Sequence, residues 1–215
     1  MKYVYVLLFF LSASFTYGQK QSEINLIKER ISLSDKSVYI FCRGTKSKAG
    51  IVAREFNVTD TVITHTGLGF VKGDKIFIYN VSDNKNTFES ALIIDSLESF
   101  IGSDDVHYLG VWKCDINYKE LLIAEKICTN YHNRKITFDR MFEISNDDTL
   151  YCSEFYELTL KQVNPVKFYF KPVAIEIKDP LMGAVLKRKN LVYFPVDFFL
   201  GNKYCHRIFS YKFNE

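Results

Sequence analysis

Apolar positions recur at two periods along this chain, and the switches between those periods mark the elements. Residues 21–32 place Ile24, Ile27 and Ile31 three and four apart, the spacing of one helical stripe. Residues 37–42 form a short apolar run, which predicts a strand ending at Arg43-Gly44-Thr45, with a polar and weakly helical stretch after it. Residues 62–71 read as a strand, Lys72-Gly73-Asp74-Lys75 as a tight hairpin turn and residues 76–81 as the returning strand. A further strand is expected over 106–113. Helical period returns at 118–131, with Leu121, Leu122, Ala124, Ile127 and Cys128 apolar. It returns again at 152–163, with Phe155, Tyr156, Leu160 and Val163 inward. Strands are expected around 166–177 and 191–194. Helices and antiparallel strands in segregated blocks predict an α+β domain, an antiparallel sheet packed against helices.

The N-terminus has a different pattern. Lys2 precedes an apolar run from Tyr3 to Ala13, and Thr16-Tyr17-Gly18 ends on a small residue. That is the pattern of a cleavable export signal, so residues 1–18 are assigned to the signal and 19–215 to a single mature domain, periplasmic or secreted. The apolar run is short for a membrane span and no later stretch reaches spanning length, so no stable span is expected after cleavage. A chain of 215 residues, 47% hydrophobic and 16% aromatic, fills one core. The net charge of +3, without a basic cluster interleaved with aromatics, argues against a nucleic-acid partner. No Cys/His set has zinc spacing, and Asp104-Asp105 and Asp147-Asp148 lack the spacing of a calcium loop, so neither metal nor cofactor is expected.

Five cysteines remain to be explained: Cys42, Cys114, Cys128, Cys152 and Cys205. An exported chain permits disulfides, Cys114 with Cys128 among the options, and an odd count leaves one thiol over. Cys152 stands where the polar loop Asp147-Asp148-Thr149 runs into an amphipathic helix. A helix N-terminus offers unpaired N–H groups and a partial positive charge. That field favours a thiolate, and the same N–H groups can hold an oxyanion during acyl transfer. Cys152 is therefore the candidate nucleophile, with its own N–H and Tyr151 as candidates for the oxyanion hole. Glu154 reads as structural, pairing within the first turn or with Arg43.

His65 is the candidate base. In Thr64-His65-Thr66-Gly67-Leu68-Gly69, strand alternation puts His65, Gly67 and Gly69 on one face, where two glycines would leave an open groove. A two-residue turn at Gly73-Asp74 pairs Lys72 with Lys75 and Gly67 with Asn80, which brings Asn80 onto the His65 face. An amide there can orient an imidazole, as in Cys-His-Asn chemistry. A turn one residue longer would swap the faces and remove Asn80. His206, after Cys205, offers the opposite chain order but lacks small neighbours.

The run His65-Thr66-Gly67-Leu68-Gly69, then Phe138-Asp139-Arg140-Met141-Phe142-Glu143, then Tyr151-Cys152-Ser153-Glu154-Phe155 resembles the circularly permuted branch of the NlpC/P60 papain-like cysteine hydrolases, and within it the YiiX-like group. Phe41-Cys42-Arg43-Gly44 resembles the early strand-and-arginine segment of such proteins, so the likeness spans about residues 38–163. Asn80 departs from it, since that position is often acidic or histidine in the group. The resemblance implies a permuted papain-like fold and thiol-dependent hydrolysis of an amide through a thioester. The implied partner is a peptide or acyl-amide substrate, peptidoglycan fragments among them. A lipid amide or ester hydrolase, an acyltransferase and a catalytically idle binding protein are the alternatives.

Overall fold

The computed structural model describes residues 20–83, 90–144 and 148–213. The assigned signal, 1–18, lies outside them. The frame is a six-stranded antiparallel sheet in the order β10-β5-β1-β2-β3-β4. The strands are β1 (Val38–Thr45), β2 (His65–Lys72), β3 (Lys75–Val81), β4 (Leu92–Asp95), β5 (Val106–Cys114) and β10 (Cys205–Lys212). Two short ladders stand apart from it: β6 (Thr137–Phe138) parallel to β7 (Thr149–Leu150), and β8 (Val173–Glu176) antiparallel to β9 (Asn190–Tyr193).

Both faces of the sheet are covered, and residue alternation decides which side chain goes where. Val38, Ile40 and Cys42 of β1 join Leu68, Phe70 and Trp112 on one face. Helices α4 (Tyr118–His132) and α5 (Cys152–Val163) pack there through Leu121, Ala124, Cys128, Phe155 and Tyr156. Tyr39 and Phe41 point the other way, into a second cluster with Ile78, Leu109 and Val111. Helix α1 (20–30) covers that cluster with Ile24 and Ile27, and α3 (Leu97–Ile101) with Phe100 and Ile101.

Local signals explain the boundaries. Asn117 and Glu120 form a reciprocal capping box that starts α4. The β2–β3 hairpin turns at Gly73, whose φ of +63° is the left-handed value that glycine adopts without strain. Lys72 pairs with Lys75 and Gly69 with Ile78, which is the two-residue-turn register.

Several expectations need correction. The space over Gly67 and Gly69 is not a groove. A Cβ at Gly69 would meet the Phe41 ring at 2.2 Å, and one at Gly67 would meet Ile78 and Asn80 at 2.8 and 2.9 Å. The glycines are there because neighbours fill that face. Only Val173–Glu176 of the 166–177 stretch is a strand. Asn164 turns the chain first, its side-chain oxygen accepting the N–H groups of Val166 and Lys167. The elements that went unread are β4, α3, the short β6–β7 ladder, β10, α6 (Pro180–Leu186) and a 3-10 turn at Phe198–Gly201, while the polar stretch after β1 is a capped helix, α2 (Lys48–Glu55). All five cysteines are free and buried, and Cys114 lies opposite Cys205 on β10 rather than bridged to Cys128 on α4.

Candidate active site

His65 opens β2, and the loop before it is held by two aspartates. Asp60 accepts the N–H groups of Val62 and Ile63 at 2.6 and 2.9 Å. Asp197, only 2% exposed, accepts those of Val58, Thr59 and Asp60 at 3.1, 2.6 and 2.8 Å. The C-terminal segment thereby fixes the approach to the histidine. Replacing Asp197 by alanine should lower the unfolding free energy by about 2 kcal/mol, because three charge-assisted hydrogen bonds to one carboxylate are lost together. Urea midpoints of the two proteins measure it, and equal midpoints would show that the clamp contributes nothing.

The imidazole is held from the opposite side of the hairpin. Its Nε2 lies 2.9 Å from Asn80 Oδ1, and Asn80 is fully buried. Ser82 donates to the same Oδ1 at 3.0 Å. The Phe100 ring covers the imidazole at 5.9 Å between centroids, and the Arg43 guanidinium lies over Phe100 at 4.8 Å while donating to its carbonyl oxygen at 2.6 Å.

Cys152 opens α5 on the other face of the sheet. The segment ahead of it is fixed by β7 pairing with β6 and by the Asp139 N–H donating to Leu150 at 2.9 Å. Asp139 in turn accepts the N–H groups of Met141 and Glu143, which bends the Phe138–Phe142 stretch along the cavity described next. Helix α5 has no side-chain cap: Tyr151 occupies the capping position without supplying one. No capping side chain therefore competes for the first-turn N–H groups. The Thr66 and Ser153 N–H groups are directed at the Cys152 sulfur, while the buried Thr66 hydroxyl has no hydrogen-bond partner among the described residues. Thr66 is the residue after His65, so the thiol sits against the strand that carries the imidazole.

Cys152 and His65 line one cavity of about 640 Å³, together with Arg43, Tyr151, Ser82 and Thr64. Its remaining walls are mostly apolar: Val52 and Ala53 of α2 and Phe56 just past it, Phe138 and Phe142, Met182 and Leu186 of α6, and Leu191 with Tyr193, Phe194, Pro195 and Val196. The Tyr151 hydroxyl accepts the Phe194 N–H at 2.9 Å, which ties that wall to the start of α5, and its own O–H remains a donor. His206 is elsewhere, exposed and 2.8 Å from Asp115 Oδ2.

Electrostatics differ from the sequence expectation on one point. Burial raises the Cys152 thiol above its ordinary value, and the Thr66 and Ser153 donors and the Arg43 guanidinium only partly offset that. Burial, then Arg43, lowers the His65 imidazole to about 3, against the upward pull of Asn80. At rest the thiol and the imidazole that line the cavity are therefore both neutral. The linkage sign follows. Between pH 6.5 and about 3 the unfolded chain binds a proton that His65 in the folded chain does not, so stability falls as pH drops through that window. His65→Gln should flatten the fall. Denaturation midpoints at pH 7 and pH 4 for both proteins measure it, and parallel slopes would place the acid sensitivity elsewhere.

Sequence reasoning passed over Asp95, Thr66 and helix α6, and the hairpin register set Ser82 opposite His65 without giving it a role. Thr66 was visible only as the neighbour of His65. Asp95 sits in a four-residue strand that follows a stretch of sequence without apolar period, and nothing in its spacing pointed to Asn80.

The architecture and the cavity together define an α+β protein of the YiiX-like, papain-type fold, with a thiol and an imidazole lining one pocket and a buried amide behind the imidazole. No protein-family model matches the sequence, and no curated protein does. Among solved structures it is similar to metalloprotein YiiX from Escherichia coli O157:H7, a DUF1105 protein, with a TM-score of 0.63 at 13% identity, over 84% of this chain and 99% of that one. The likeness is one of fold. That neighbour is described as a metalloprotein; here, among the described residues, no three His, Cys, Asp or Glu side chains are grouped to hold an ion.

Proposed function

We propose that this chain is an exported cysteine hydrolase of the permuted NlpC/P60 type, its mature part a single domain, cleaving an amide bond through a thioester on Cys152. The observation that carries this reading is the shared cavity, lined both by Cys152 at the uncapped start of α5 and by His65, whose imidazole is held by Asn80. Cys152 Sγ attacks the substrate carbonyl carbon and its proton passes to His65 Nδ1, the ring nitrogen not bonded to Asn80. The Cys152 N–H and the Tyr151 O–H hold the oxyanion. Collapse expels the amine, which takes the proton from His65. Water then attacks the thioester with His65 again as base, releasing the acid and the thiol. The neutral resting pair makes this general-base catalysis rather than attack by a standing thiolate. Alkylation of Cys152 by iodoacetamide should therefore be slow at pH 7 and rise into alkaline pH. Peptide mapping follows it, and fast labelling at pH 6 would show a standing thiolate instead.

The apolar walls favour an acyl chain over a polar glycan-linked peptide on the acid side of the scissile bond, which makes an acyl amide or ester the second reading within the same chemistry. The test is to incubate the protein with muropeptide fragments and with medium-chain acyl amides and to read products by mass spectrometry. Release of a free acid from either set, absent with Cys152→Ala, supports the hydrolase. No thiol-dependent product from either set would leave a binding protein.

A further inference from the structure

The mechanism needs one particular tautomer of His65, and the imidazole cannot choose it alone. With the proton on Nε2, Nδ1 carries a lone pair and can act as base. With the proton on Nδ1, it cannot. The choice passes to Asn80, whose amide can present either an acceptor oxygen or a donor NH₂ to the ring.

The far side of Asn80 decides that orientation. Asn80 Nδ2 lies 2.9 Å from Asp95 Oδ2, at the end of β4. A carboxylate only accepts, so the group facing it must be the NH₂. The amide oxygen then faces His65, and Nε2 must donate. The other contacts are weaker guides. The Ile78 carbonyl also accepts from Nδ2, but at 3.4 Å, and the Ser82 hydroxyl can rotate to donate or accept. Asp95 is itself held: its other oxygen accepts the Ser99 hydroxyl at 2.6 Å. The charged group acting on both His65 and Asp95 is the Arg43 guanidinium, which opposes a positive imidazole and is itself stabilised by Asp95.

We infer that Asp95 is a positioning residue which, through the Asn80 amide, locks His65 in the Nε2–H tautomer and so keeps Nδ1 free as the base. The catalytic use of that lock rests on the hydrolase reading; the lock itself does not. It also accounts for the departure at position 80. A carboxylate there would accept from Nε2–H unaided, whereas an asparagine needs a second group to say which end of its amide faces the ring.

The test is the ¹⁵N spectrum of His65 at pH 7 in four proteins: wild type, Asp95→Ala, Asn80→Asp and the Asp95→Ala/Asn80→Asp double variant. Wild type should show only Nε2–H. Asp95→Ala should show a mixture, because the amide is free to turn. The double variant should return to Nε2–H alone, since its carboxylate has no wrong end. Turnover of a p-nitrophenyl ester should follow, falling at least tenfold in kcat with little change in KM for Asp95→Ala and recovering in the double variant. A single Nε2–H tautomer in Asp95→Ala, or a wild-type Nδ1–H tautomer, would overturn the inference. A wild type with the expected tautomer pattern but no thiol-dependent turnover would sink the hydrolase reading and leave the lock standing. Thermal midpoints accompany each variant, and a double variant that fails to recover Nε2–H while folding normally also counts against it.

Discussion

Cys152→Ala should reduce turnover of a p-nitrophenyl ester by at least about 10³-fold while leaving the thermal midpoint nearly unchanged. The size follows from the mechanism: removing the nucleophile deletes the covalent route, and what remains is binding and oxyanion stabilisation. The small effect on stability follows from packing. Cys152 is buried at the first turn of α5, and the change removes one sulfur atom from a site edged by a cavity. The four other thiols serve as internal controls. Cys42, Cys114, Cys128 and Cys205 are all buried, and none of them is part of that cavity wall. Burial, the largest cause in both, raises Cys128 and Cys42 out of the reactive range. Serine at any of these four should leave ester turnover within about twofold. A loss equal to that of Cys152→Ala at another cysteine would move the nucleophile.

Gly69→Ala is expected to have the second-largest effect, and through structure rather than chemistry. The added methyl would sit 2.2 Å from the Phe41 ring, a distance no relaxed contact allows. Phe41 has no room to retreat. It is fully buried, with Tyr39 and Phe100 edge-on at 6.4 Å between centroids on either side. Overpacking of this kind costs about 3 kcal/mol. Phe100 covers His65, so a displaced Phe41 also disturbs the base. Activity at temperatures where the variant stays folded should therefore fall as well. Gly201→Ala, where a methyl meets nothing within 4 Å, is the matched control and should shift stability by less than about 0.5 kcal/mol. Chemical denaturation of the three proteins measures this. Equal midpoints for Gly69→Ala and wild type would mean that the ring moves freely and that the β2 glycines are not required by packing.

Much of this molecule was legible from period alone. Helix α5 begins and ends where its apolar spacing says, and α4 begins where expected, at its capping box, and runs one residue further at its C-terminal end. The hairpin was legible because Gly73 has a single low-strain use there, and its register carried Asn80 to His65. What was not legible has physical reasons. Strand β10 alternates buried and exposed residues only weakly, because it is an edge strand with one neighbour. The glycines of β2 were taken for open space because a sequence does not say what fills it; Phe41 does, from the adjacent strand. The thiol was expected to be acidic from its helix position, and burial outweighs the helix field. Asp95 was hidden because its meaning depends on a hydrogen bond made across β3 and β4. The C-terminal segment was the least readable part, yet it supplies Asp197 to the loop before His65 and a wall to the cavity.

What everything functional here depends on is that one sulfur takes an acyl group with help from one imidazole. Intact-protein mass spectrometry after mixing with a p-nitrophenyl ester reads this directly. The expected result is a single acyl adduct, mapped to the peptide bearing Cys152, that forms at least 100-fold more slowly in His65→Gln. An adduct on any other residue, or one that forms at the wild-type rate without His65, would contradict it.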